Sequence, residues 1–448
     1  ESVVILTSII ARNQPTMALR RAWLAAAAAA CILLTLPVSQ AAVNSVVTQW
    51  INIAQSCVTA LGIEHQQAAR LYATLASAQY DAIKAAEAST LTISEEAAAA
   101  YASHFVLSNF FDWRQSYYYD PVLAAQIEAL GLSDADVAVL KSVLVPIVKA
   151  ILSKRLCDGS SSFANFKPGD SSILGLYQFA PNQVTVHYPQ VAYATGFYLA
   201  SKDVDVFTAK LKHFSLSDPE YAKQLQETYS LGSASSANRT EYDSGSAQYW
   251  AQGGGTSTLA GFWISVALEA LPESTPLIVQ ARFLKLLTTS FWDTAVACWR
   301  VKFREQFWRP ITAIRTNHGA GVYDPTWTPS LTTPIDPEYV SSHTCTSGAA
   351  LYVLESHLGA STGFSAASLS APELGKRSYA SMPVCISASP TRMAWHWATQ
   401  SPRRFTRGSS RARLWLTCSE RIADPSSDGA RKDMVAIHTD GSQNLARW

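Results

Sequence analysis

Lys302 and Arg309 stand seven positions apart in the stretch KFREQFWRP, residues 302–310. A seven-residue step on an α-helix returns to within about 20° of the same face. The spacing therefore predicts two cations reaching one point beside a helix that Pro310 stops. Proline also suits the first turn of a following helix. Arg offers an oxyanion a planar fork, and Lys offers a point charge. A short Lys/Arg pair usually means two solvated cations. Here Phe303, Phe307 and Trp308 flank the pair and argue for a packed setting. The chemistry indicated is the holding of an oxyanion, phosphate-like in shape.

Two further stretches supply partners for such a site. In PEYVSSHTCTSGAALYVLESHLG, residues 337–359, an extended lead-in is followed by small residues and a helical run from about Thr344. That puts Ser341, Ser342 and His343 at a helix N-terminus. Unpaired N–H groups and the helix dipole favour an anion there. A Ser hydroxyl can bind its oxygens and a His can move protons. In SPTRMAWHWATQS, residues 389–401, Arg392 and His396 are four apart, one turn if the segment is helical. An imidazole can attack phosphorus or coordinate vanadium. Each stretch alone reads as an ordinary cap or core histidine. Their order along the chain carries the information.

The elements that must position these groups read as helices. Helical spacing runs from Val46 to about Ala86, with Ala69, Tyr72, Leu75, Ala76, Tyr80 and Ile83 on one stripe. Ala97–Phe111 and 121–130 continue in this style. Residues 134–154 form a further helix with Ser133 as its N-cap. Residues 157–200 read as irregular structure, and 230–246 as a loop whose Asn238-Arg239-Thr240 is a glycosylation acceptor in a secreted chain. Helical pattern returns at 256–271 and at 275–308, the latter expected to be two helices. No sustained strand alternation is present, so the fold class is all-α, helical bundles packed around an oxyanion pocket. The 448 residues allow one large or two smaller domains, and a net charge of +1 argues against a general nucleic-acid binder. No set of long apolar spans is present beyond the N-terminal segment, which disfavours a membrane enzyme.

The ends differ in texture. From Met17, two arginines precede an apolar run and small residues, the pattern of a secretory signal peptide over 17–41. Residues 1–16 then read as translated sequence upstream of the true start. The organisation expected is a helical region at 42–230, a catalytic helical region at 247–400 and an atypical basic tail at 401–448. Five arginines fall within 403–413, and the abrupt loss of apolar periodicity marks a reading-frame error there. Six cysteines follow the signal, and spacing does not pair them.

Taken together, Lys-x6-Arg-Pro, then Ser-Ser-His, then Arg…His resembles the superfamily of vanadium-dependent haloperoxidases and type 2 phosphatidic-acid phosphatases. Its pattern is K-x6-R-P, P-S-G-H and S-R-x5-H. FWRPITAIR and YVSSHTCTSGAA look most like the soluble, haloperoxidase-like branch, and the helices after Trp50 are similar to its opening helices. The resemblance implies that Lys302 and Arg309 neutralise the oxygens of bound vanadate or phosphate, and that Ser341 hydrogen-bonds one oxygen. Ser342 stands in place of a usual Gly and donates its backbone N–H. His343 is implied as the acid–base residue and Arg392 as a third cation. His396 is implied as the vanadium ligand, or as the phosphorylated nucleophile of a phosphatase. Hydrogen peroxide, halide and a small organic acceptor are the implied partners. The third motif departs from the pattern: three residues separate Arg392 from His396 where the family has five, Thr391 replaces Ser, and Gln400 replaces a ligand-orienting Asp. A phosphomonoester hydrolase, or an inactive member, is the alternative.

Overall fold

In a computed structural model, residues 45–362 are described, with side chains through Leu358. All fall in one compact unit. The signal segment 17–41, Arg392, His396 and the tail 401–448 lie outside the described residues. Among those described, twelve α-helices and no strand occur, so the all-α expectation holds.

The first helices are α1 (Val46–Leu61), α2 (His65–Ala88), α3 (Glu95–Phe110), α4 (Asp120–Ala129) and α5 (Asp134–Leu156). Their starts follow from local chemistry. Ser45 and Ser94 accept from backbone N–H groups of the first turn, and Ser133 with Asp136 completes a capping box. Gly62 closes α1 in the left-handed region, where a Cβ would be strained. α2 is buried along most of its length, and Ala-rich faces on α2 and α3 allow close packing.

The second half contains α6 (Ser201–Thr208), α7 (Pro219–Gly232), α8 (Glu241–Ala251), α9 (Thr258–Ala270), α10 (Leu277–Glu305), α11 (Pro310–Arg315) and α12 (Ser342–Thr362). Two expectations are corrected. Residues 275–308 hold one long helix because no Gly or Pro interrupts 277–305. The expected loop 230–246 is partly helical: Thr240 and Asp243 form a capping box that starts α8 inside the Ser/Gly-rich text.

α10 links two apolar cores. Its first half, through Phe291, packs in a core built with α1, α2, α3, α5, α9 and α12. From Trp292 onward it packs against the irregular segment 177–204, the start of α7 and residues 307–340. A helix buried all round must pair every charge it carries. Asp293 accepts from three consecutive N–H groups, Phe197, Tyr198 and Leu199, at 2.5, 3.0 and 3.0 Å. Arg300 donates to the Ala192 carbonyl and to Asp205. These bonds fix the irregular segment against α10 and hold the Lys302 end of the helix in place. Among the described residues no helix is long and apolar enough to cross a membrane.

Candidate active site

Lys302 sits in the last turn of α10 and is 1% exposed; Arg309 caps α11 and is 2% exposed. Contrary to the expectation from their spacing, they do not share one helical face. Gln306, at φ 45° and ψ 43°, ends α10 in the left-handed region, and Arg309 is extended at φ −79° and ψ 152°. Pro310 occupies the first turn of α11, as expected. The turn between the helices, rather than the seven-residue period, brings the cations together.

They converge on a carboxylate. Lys302 Nζ and Arg309 Nη2 each lie 2.8 Å from Asp336 Oδ1. Arg309 Nη1 donates to Glu338 Oε2 at 2.7 Å and its Nε to the Asp336 carbonyl at 2.6 Å. Lys302 also donates to the carbonyls of Pro337 and Glu338 at 2.6 and 3.2 Å. Burial alone raises the Asp336 carboxyl, but the charges of Lys302 and Arg309 outweigh it and hold it below the ordinary carboxylate range. Sequence reasoning missed Asp336 and Glu338. Their only signal is that two acids flank Pro337 just before the Ser-Ser-His run.

The second motif meets the first here. α12 begins at Ser342, two residues before the expected helical run, and packs along α10. Ser341 acts as its cap: Ser341 Oγ accepts from Thr344 N–H at 3.4 Å, and the Ser341 carbonyl accepts from Cys345 N–H at 3.1 Å. Ser341 is buried, while Ser342 and His343 are half-buried. His343 Nε2 lies 3.3 Å from the carbonyl of Ala251, at the end of α8. A carbonyl only accepts, so Nε2 carries the proton and Nδ1 offers a lone pair. Burial, assisted by the charge of Lys302, lowers the His343 pKa against the backbone bonds to Ala251 and Trp250, which raise it.

His65, at the start of α2, was not singled out from sequence. Its Nε2 is 3.1 Å from Thr346 Oγ1 on α12. Burial, then the charge of His343, lowers its pKa to about 3. Three buried polar atoms near these elements have no hydrogen-bond partner among the described residues: Tyr177 Oη, Thr344 Oγ1 and His65 Nδ1. Tyr177 lies in the field of both Arg309 and Asp336. Beyond Glu338 opens a cleft lined by Tyr221, Phe307, Trp308 and Tyr339, with His213 stacked on Phe307 at 4.1 Å.

The donor set fits a tetrahedral oxyanion in kind. Two buried cations already grip a carboxylate oxygen, a hydroxyl and backbone N–H groups sit at a helix N-terminus, and unpartnered hydroxyls lie beside them. Arg392 and His396 are not among the described residues, so the third cation and the ligand histidine stand on sequence alone.

Residues 282–416 match the family described as the VCPO second helical-bundle domain. No curated protein matches the chain in sequence. The fold is similar to that of the first bacterial vanadium-dependent iodoperoxidase, with a TM-score of 0.59 and 18% identity over 79% of this chain and 94% of that one. It is also similar to a holo-type bacterial vanadium-dependent chloroperoxidase, with a TM-score of 0.55 and 14% identity over 82% and 95%. Residues 282–416, which hold the two buried cations and the Ser-Ser-His helix start, thus match a haloperoxidase helical-bundle domain, and the described residues share the fold of bacterial vanadium haloperoxidases.

Proposed function

We propose that the protein is a vanadium-dependent haloperoxidase that oxidises halide with hydrogen peroxide and passes the oxidised halogen to a small organic acceptor. The observation that carries this reading is the convergence of Lys302 and Arg309 on one carboxylate oxygen of Asp336, with Ser341, Ser342 and His343 at the start of the neighbouring helix. When bound, vanadate supplies the Lewis acidity that activates peroxide toward halide.

The chain's own groups have distinct tasks in this reading. Lys302 and Arg309 hold and neutralise the oxyanion oxygens, taking over the place that Asp336 Oδ1 fills. The Ser341 hydroxyl and the Ser342 backbone N–H donate to it from the start of α12. Neutral His343, tethered to Ala251 through Nε2, takes up a proton at Nδ1. Arg392 serves as the third cation and His396 as the metal ligand. The segment at 17–41 directs secretion.

Bromination of a dye with peroxide and bromide, as vanadate is titrated into the full chain, tests this reading. Saturable, vanadate-dependent bromination is expected. Absence of bromination at every vanadate level, with hydrolysis of a phosphomonoester by the same preparation, would replace it with a phosphatase acting through the same cations.

A further inference from the structure

Cys298 and Cys345 lie on different helices and meet beside the candidate site. Cys298, on α10 and four positions before Lys302, is 2% exposed, and its Sγ lies 3.7 Å from the Val340 carbonyl. Cys345, in the first turn of α12 and two positions after His343, is half-buried and bonded through its backbone N–H to Ser341. Both side chains pack in the second core. Cys298 Sγ faces the 340–341 turn from which Cys345 follows by one helical turn, so the two side chains approach each other, and both thiols are free. The oxyanion reading uses neither.

We propose that Cys298 and Cys345 form a reversible disulfide that ties the Lys302 end of α10 to the Ser-Ser-His start of α12. The oxidant is a low-molecular-weight disulfide, RSSR. The half-buried Cys345, as thiolate, attacks one sulfur of RSSR, and RS⁻ leaves and takes up the proton that Cys345 gave to solvent. Cys298 then gives up its proton and attacks Cys345 Sγ, releasing the second thiol. Two protein thiols are oxidised and one RSSR is reduced to two RSH. Burial pushes the Cys298 thiol well above the usual cysteine range, so its attack is the slower step and relies on its closeness to Cys345. The bond closes a long stretch of chain containing Arg309, Asp336 and Ser341, so it also constrains the unfolded state. None of this depends on the haloperoxidase reading.

The test uses the full chain, reduced and then incubated with oxidised glutathione. Residual thiols are alkylated, the protein is digested with trypsin, and the peptides are weighed. Peptides 286–300 and 316–376, which carry Cys298 and Cys345, are expected as one species that dithiothreitol separates. The oxidised protein is expected to melt several degrees above the reduced one. That difference is expected to vanish in both Cys298→Ala and Cys345→Ser, whatever each variant costs in baseline stability. Recovery of both cysteines singly alkylated would overturn the proposal, and so would Cys345 joined to another cysteine.

Discussion

Lys302 and Arg309 belong to two helices separated by a left-handed turn at Gln306, yet each places a nitrogen 2.8 Å from the same oxygen of Asp336. The two buried cations, with buried Asp336 and half-buried Glu338, form a charge-balanced group. Removing one member leaves another uncompensated, at a cost of about 3–5 kcal/mol. Lys302→Met is expected to lose stability in that range by urea unfolding. Adding Asp336→Asn to it is expected to restore most of the loss. A fully additive double variant would show that the two residues are not coupled.

Asp336 competes with any oxyanion for the same two cations. Asp336→Asn is expected to bind vanadate or phosphate about tenfold more tightly while losing stability, since one charge-assisted contact is worth about 1.5–3 kcal/mol. Weaker binding in this variant would mean that the carboxylate supports the oxyanion rather than standing in its place.

The pH dependence has a definite sign. His65 has its folded pKa lowered to about 3 by burial. A base with a depressed pKa contributes stability that is present above its unfolded value, about 6.5, and is lost as pH falls toward 3. His65→Gln, which keeps a donor for Thr346, is expected to flatten the melting-temperature curve between those limits. An unchanged slope would remove His65 from the acid limb. Asp336, held low by its cations, adds a second loss at still lower pH, below the ordinary carboxylate pKa.

Asp293 anchors the segment that packs under the site. Burial raises its carboxyl to about 6 against the pull of three backbone N–H bonds. Its contribution is greatest below the unfolded carboxylate pKa and fades as pH rises through 6. Asp293→Ala leaves three N–H groups without partners, and a loss of at least about 3 kcal/mol is expected. Gly196→Ala tests the same joint, because a methyl there meets Asp293 Oδ1 at 2.7 Å and the Leu199 carbonyl at 2.8 Å. Wild-type melting behaviour in either variant would contradict the anchoring role.

Local signals were legible in the sequence where a short rule governs them. Ser133 as a cap and Pro310 in the first turn of α11 both appear in the structure, whereas α2 is buried well beyond its expected stripe and Tyr80 is half-buried. The α8 start was equally local but lay hidden in Ser/Gly-rich text. The cation pair was found for an incomplete reason: its convergence comes from the turn at Gln306. Asp336, Glu338 and His65 could not be read because their meaning lies in contacts across the fold. His65 meets Thr346 from 281 positions away. Nothing in local spacing records such a pairing, and only the family resemblance joins the motifs into one site.

Calorimetric titration of vanadate into the full chain and into Lys302→Met, both checked for cooperative unfolding, tests the oxyanion site most directly. Saturable one-to-one binding by the wild type is expected, weakened about tenfold or more in the variant. Equal affinity in the two proteins, or no binding by the wild type, would contradict the assignment of Lys302 and Arg309 to an oxyanion.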